Sequence, residues 1–451
     1  MKQSEKSRRL GLDKLAFLIL FLLGLLLAKF MISFRSDFKL SEPVKLKGTG
    51  LEVSIPAGDN WKQISNGFKY EKNEFRFACL MQISRDSAIT LQWRYFLLPA
   101  EKPAPQRLQD KALAVQGIVE FTESNRFGDL EFDYAKIDSN QITLFYGTTA
   151  LPDGRILTLE VGHKGRGVEL AEKIFKALLA SAKYQKDNPL AKGAEFLKNF
   201  KNSYPASLPP DSYQNYYRIK DTRGSTIGFM ANSVKCPENP NKNSLFSSAE
   251  LLFLNTRLNS YAEMLLFHSD ISLTKFDWSI KQSNFLTNRE QPIFIQLDSD
   301  SFTVNKQSKA ESFAFTDTML PETFFDIAVA AFLKSSFDTV MLDFVLSDGR
   351  IAPAIISKSN MPPASVPLAK FAASVELFGT NTIYQKNYFD GEGRMLLAEV
   401  QSSFSYKIER VAKADILADF PQWLEKIQQM EQYKPQKAPG QKPPANDEQE
   451  L

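Results

Sequence analysis

Leu320-Pro-Glu-Thr-Phe-Phe-Asp-Ile-Ala-Val-Ala-Ala-Phe-Leu-Lys334 decides how the larger part of this chain is read. Phe324, Phe325, Ile327, Ala328, Ala331 and Phe332 recur at helical spacing, and Pro321 suits a first helical turn. The rhythm on either side is different. Residues 340–346 and 351–357 are apolar runs joined by Ser347-Asp-Gly-Arg350, which reads as a hairpin. A second hairpin joins 383–389 to 395–401 through Asp390-Gly-Glu-Gly393, and 404–411 adds a further strand. Upstream, 216–219 and 226–234 flank the turn Arg223-Gly-Ser225, and short strands are expected at 251–254, 263–268, 276–280, 293–297 and 302–304. Residues 415–433 read as helical with a break near Pro421. One apolar helix set among many antiparallel strands gives a mainly β domain over 212–433.

Working outward, residues 41–185 show strands, a helix, more strands and a closing helix. Residues 51–55 alternate and end in the turn Pro56-Ala-Gly-Asp-Asn-Trp61. Strands are expected at 75–83, 89–98, 119–121, 130–134, 142–146 and 156–161, with Asp153-Gly-Arg155 turning the last pair. Helices are expected at 105–115 and 168–182, where Leu170, Ile174, Phe175, Leu178 and Leu179 share one face. That order is an α+β domain with helices covering an antiparallel sheet. Residues 186–211 form a connector in which 190–200 suits a short helix. The tail 434–451, rich in Lys, Pro and Gln, cannot bury a core and is expected to be disordered.

Two resemblances follow from these stretches. The early strand ending in Ile55-Pro-Ala-Gly-Asp-Asn-Trp61, the Asp153-Gly-Arg155 hairpin and the final helix ending at Ser181-Ala-Lys-Tyr184 resemble the PsbP-like family over about a third of the chain. That resemblance implies an α/β/α sandwich and partner binding without a shared catalytic site. Stretches 320–334, 340–357 and 384–401 resemble, in element order, the half-barrel of LolA/LolB-like lipoprotein carriers. There a curved antiparallel sheet wraps an apolar cavity. The resemblance implies that Phe324, Phe325, Ile327 and Phe332 line such a cavity; ordinary core packing is the alternative. The chain departs from those carriers in its large preceding domain and its N-terminus.

The N-terminus reads as an anchor. Leu15-Ala-Phe-Leu-Ile-Leu-Phe-Leu-Leu-Gly-Leu-Leu-Leu-Ala28 is uninterrupted hydrocarbon and continues past Lys29 to Ile32. As a helix at ~1.5 Å per residue, 15–33 matches a bilayer core of ~30 Å. No small-x-small cleavage site follows, which separates it from a signal peptide. Lys2, Lys6, Arg8, Arg9 and Lys14 make residues 1–14 a basic tail suited to the cytoplasm, with the remainder exported. The expected location is the inner membrane, single-pass, with the bulk in the periplasm and the bilayer as a partner through 15–33.

Composition narrows the chemistry. A net charge of +3 over 451 residues, with no basic stripe, does not predict nucleic-acid binding. Two histidines, His163 and His268, leave little for zinc or Ser-His hydrolysis. Two cysteines, Cys79 and Cys236, make no disulfide framework, though a bond between them stays open outside the cytoplasm. Thirty-six phenylalanines suit β-rich cores or an apolar cavity. His268-Ser-Asp270 has triad residue types, but neighbours on one strand point apart. Val161-Gly-His-Lys-Gly-Arg-Gly167 is a strand-to-helix loop with anion-binding potential. Leu297-Asp-Ser-Asp-Ser301 and Asp390-Gly-Glu-Gly393 read as turns. The expectation is therefore a protein without catalytic, cofactor or metal residues: an envelope binding or carrier-like protein for a hydrophobic ligand or lipidated partner. The alternatives are an assembly subunit of an envelope membrane complex and a carboxylate-only enzyme such as a glycosidase.

Overall fold

The computed structural model describes residues 38–435 apart from 166–167, 208–211, 238–244, 256–259, 271–272, 285–288, 299, 307–308, 360–364, 381 and 402–404. The basic tail 1–14, the anchor 15–33, Arg166 and Gly167, the end of the connector and the tail beyond 435 lie outside these residues. Among the described residues no helix is long and apolar enough to cross a membrane.

The first sheet has seven strands: β1 (Trp61–Lys69), β2 (Glu74–Ser84), β3 (Ser87–Phe96), β4 (Ile118–Phe127), β5 (Leu130–Asp138), β6 (Thr143–Ala150) and β7 (Ile156–Lys164). They pair antiparallel in the order β1-β2-β3-β7-β6-β5-β4. Helix α1 (Ala104–Ala114) buries Leu108 and Ala112 against Ala135, Ile137, Leu144 and Tyr146. Helix α2 (Val168–Ser181) sets Phe175 against Tyr134 and Phe145. Residues 144 and 145 alternate across the pleat, so the two helices take opposite faces. Strand β1 lies where a turn was expected to end. Its sequence is mostly polar because it is an edge strand with little to bury, so no apolar alternation announces it.

The second sheet has fifteen strands. They are β8 (Tyr213–Asp221), β9 (Thr226–Lys235), β10 (Leu245–Asn255), β11 (Ser260–Asp270), β12 (Lys275–Asn284), β13 (Arg289–Asp298), β14 (Ser301–Lys306), β15 (Lys309–Ala314), β16 (Met319–Pro321), β17 (Thr339–Val345), β18 (Ile351–Lys358), β19 (Phe371–Leu377), β20 (Ile383–Phe389), β21 (Met395–Val400) and β22 (Tyr406–Val411). One meander runs from β8 out to β15, and another from β17 to β22. Strand β22 pairs with β8 and joins the two arms, while β16 lies parallel to β17 at one edge. The molecule is thus α+β, dominated by antiparallel sheet.

This sheet curls. Gly349, in the β17–β18 turn at φ +79°, sits so close to β14 that a Cβ there would stand 2.6 Å from Val304 Cγ1. Strand β14 is next to one end of the strand order and β17 next to the other, so the two arms approach each other. Helices occupy the concave side. Helix α3 (Pro189–Ser207) is the element expected as a short connector, yet it buries Leu190, Phe196, Leu197 and Phe200 and lies along β17. Gly193 permits that approach, because a Cβ there would stand 2.0 Å from the carbonyl oxygen of Met341. Helix α4 (Phe325–Lys334) follows a 3-10 turn, Glu322–Phe324, and packs beside α3. Helices α5 (Lys413–Asp419) and α6 (Leu424–Gln432) cover the outer face of β8–β10. There Ile416, Ile427 and Met430 meet Tyr216, Phe229, Ala231 and Leu251.

The two sheets share one hydrophobic cluster. Phe378, just past β19, meets Phe68, Phe75 and Tyr95 of the first sheet. Arg155, from the Asp153-Gly-Arg155 turn, is buried and pairs with fully buried Asp343 of β17. Its guanidinium also donates to Thr318 Oγ1 at 3.1 Å and Tyr95 Oη at 3.2 Å. The hairpin residue is also a pin between sheets.

Candidate ligand cavity

Between α3, α4 and the concave face of the large sheet lies a cavity of about 1420 Å³. Strand alternation positions its wall. Tyr213, Asn215, Tyr217 and Ile219 come inward from β8, Met230, Asn232 and Val234 from β9, and Ser248, Glu250, Leu252 and Leu254 from β10. Phe344, Ala352, Ala354, Val375 and Leu377 close the opposite side. Helix α4 presents Ile327, Ala330, Ala331 and Lys334 at i, i+3, i+4, i+7 spacing, a single helical face.

Of the four residues singled out from the sequence, the structure sets Phe325 and Ile327 on the cavity wall. The Phe325 ring lies 5.2 Å from that of Phe344. Phe324 and Phe332 are corrections to that set. Both are fully buried and are absent from the cavity lining. Phe324 packs against Phe246 and Phe267, with ring centroids 5.0 and 5.3 Å away, and Phe332 against Phe196 at 6.0 Å. The reason is phase: 324, 328 and 332 fall on the face of α4 and its leading turn that backs onto the core.

Polar groups interrupt the apolar wall along one row. Cross-strand register pairs Asn215 with Asn232 and Asn232 with Glu250. Neither asparagine Oδ1 accepts a hydrogen bond from the described residues, and Asn215 is only 5% exposed. Removal from water, reinforced by Glu322, Glu263 and Asp326, pushes the Glu250 carboxyl up to about 8. Burial likewise takes Glu322 up to about 7, where Oε1 accepts the Ser347 N–H at 2.7 Å. Burial alone takes Asp326 up to about 6. At neutral pH Glu250 thus carries a proton most of the time and behaves as a neutral polar group. Cationic side chains also line the cavity. Arg350 pairs with Asp348 at 2.5 Å and Arg394 with Glu392 at 3.1 Å, each inside its own hairpin turn.

These inward polar residues were not singled out from the sequence. Both faces of β8–β10 are covered, one by the cavity elements and one by α5 and α6, so alternation alone does not say which parity faces inward. The other motifs resolve simply. His268 lies 3.5 Å from its cross-strand neighbour Asp277, and its Nδ1 is 3.3 Å from Tyr433 Oη. Asp270 instead accepts the backbone N–H groups of Thr274 and Lys275, so no triad forms. Asp390 Oδ1 accepts the N–H groups of Glu392 and Arg394, each at 2.9 Å, as a hairpin turn does. Asp298 and Asp300 flank the β13–β14 turn. Cys79 and Cys236 are both free thiols, and burial pushes them up to about 12 and about 11. Among the described residues no group of three or more His, Cys, Asp or Glu side chains is arranged to hold a metal ion.

No protein-family model matches the chain, and no curated protein matches it. Ten solved chains match, and two of them serve as examples. A β-barrel-like protein of domain of unknown function DUF1849 from Brucella abortus is 10% identical with a TM-score of 0.34, covering 45% of this chain and 96% of that one. A DUF1329 family protein from Desulfovibrio piger is 10% identical with a TM-score of 0.20, covering 49% of this chain and 91% of that one. Both likenesses are faint, and the fold rests on its own strand register.

Proposed function

We propose that this chain is a membrane-anchored, extracytoplasmic binding or carrier-like protein for a hydrophobic ligand or lipidated partner, acting without catalysis. The observation that carries this reading is the cavity of about 1420 Å³ walled by Phe325, Ile327, Met230, Leu252 and Phe344. Ligand sites are typically ~300–1,000 Å³, so this space suits an extended apolar group better than a small polar metabolite. The apolar segment 15–33 would tether the body to the inner membrane, with the basic tail 1–14 inside and the sheets in the periplasm. A tether suits transfer or capture at the membrane surface over free shuttling.

Uptake of a neutral apolar fluorophore by residues 38–435 tests this. The expected result is a saturable, blue-shifted signal that Ala331→Trp abolishes by filling the cavity. An unchanged signal in that variant would show that the dye binds elsewhere, and no uptake at all would count against the reading. A second reading, an assembly subunit of an envelope complex, is favoured by Leu113 and Ile118. These are 76% and 77% exposed where α1 leads into β4. It predicts that Leu113→Glu disturbs assembly while dye uptake stays intact.

A further inference from the structure

We propose that the Asn215–Asn232–Glu250 row, with Asp326 on the facing helix, holds the ammonium group of an amphiphile whose hydrocarbon lies against Met230 and Phe325. This rests on the carrier reading above and names the head of its ligand. The row is built across three adjacent strands, where neighbours stand ~4.8 Å apart. It therefore offers acceptors on a scale that one small group can span. Asn215 is more than nine-tenths buried, lines the cavity and has an Oδ1 that accepts nothing from the described residues. Buried acceptors of that kind are rare and costly unless something donates to them. An ammonium has three donors and no acceptor, which matches two amide oxygens and a carboxylate.

Charge points the same way. Glu250 and Asp326 face the cavity with no ion pair among the described residues, and the charged groups that act on Glu250 are other carboxyls, Glu322, Glu263 and Asp326. The cationic lining residues Arg350 and Arg394 have their own carboxylates. Lys334 lies at the far end of α4, about 12 Å along the axis from Asp326 at ~1.5 Å per residue. A phosphate or sulfonate head would meet repulsion from the facing Asp326, and a hydroxyl would leave that carboxylate uncompensated. Met230 is the cross-strand neighbour of Leu252 one row away, so the polar row passes directly into hydrocarbon.

The test uses the full chain in lipid nanodiscs and three photoreactive alkyl diazirines of one chain length, bearing ammonium, hydroxyl or sulfonate heads. After irradiation, adducts are mapped to peptides of the cavity wall. The ammonium probe is expected to label them about tenfold more than the other two. A Glu250→Gln/Asp326→Asn variant should lose that preference while hydroxyl-probe labelling persists, which also reports that the variant is folded. Equal labelling by all three heads would overturn the ammonium assignment and leave the carrier reading standing. No labelling of the cavity by any probe would overturn both. Competition by butylamine at the same concentration as the long-chain amine would overturn the amphiphile, because the hydrocarbon would then contribute nothing.

Discussion

Phe324 and Phe325 are adjacent in the chain and differ in what surrounds them. The first is enclosed by Phe246 and Phe267, while the second borders open volume. Phe324→Ala is therefore expected to cost about 3–5 kcal/mol in denaturant unfolding, as buried ring deletions do. Phe325→Ala is expected to cost clearly less and to weaken probe uptake. Equal costs would place both rings in the core. The sequence showed an apolar helix here, but a helix apolar on most sides does not declare which face meets the cavity. Glu250 makes a second prediction. Its carboxyl is raised from an ordinary 4.5 to about 8 in the fold, so the folded chain holds a proton that the unfolded chain has released in between. The contribution of Glu250 to stability is then fully present below about pH 4.5, is lost as pH rises towards about 8 and levels off beyond. Glu250→Gln should melt several degrees higher than the parent at about pH 9 and close to it at about pH 4.5. A variant less stable at the higher pH would contradict the desolvated, uncompensated carboxyl on the cavity wall. Arg155 is the third case. Its Asp-Gly-Arg turn was legible in the sequence, but its burial against Asp343 was not, because the partner lies 188 residues away. Arg155→Met leaves Asp343 unpaired in the core and is expected to cost about 3–5 kcal/mol, with much of that recovered in an Arg155→Met/Asp343→Leu double variant.

At the scale of elements, helix α3 departs most from the sequence reading. A stretch between two domains reads as a linker, and only contact with β17 reveals it as core. Leu190, Phe196, Leu197 and Phe200 carry helical spacing that matched a short helix, yet nothing local states what that face covers. Gly193 is the diagnostic position. Gly193→Ala would raise intrinsic helix propensity in an exposed helix. Here it drives a methyl into the Met341 carbonyl, so a lower melting temperature is expected and a higher one would place α3 away from the sheet. The helices α5 and α6 with the 3-10 turn at Pro421–Trp423 were legible as a broken helix, because proline cannot continue the ladder. The strands β17–β18 and β20–β21 were legible from their Asp-Gly turns. Strand β1 was not, for want of an apolar face.

At the scale of the molecule, element order carried the mainly antiparallel character but not the curl. Closure depends on the β8–β22 pairing between the first and last strands of the sheet, and on the approach of the β17–β18 turn to β14. Contacts of such separation leave no local trace in the sequence. The anchor reading makes its own prediction. A reporter active only in the cytoplasm, fused after Tyr433, should be silent, and an active one would reverse the topology. The central claim, that the cavity receives an apolar ligand, is tested most directly by growing an expression host on a diazirine-bearing fatty acid, irradiating the cells and mapping lipid adducts on the full-length chain. Adducts on the cavity strands Tyr213–Asp221 and Thr226–Lys235 and on helix Phe325–Lys334 are predicted. Adducts confined to residues 15–33, with none on the cavity wall, would contradict it.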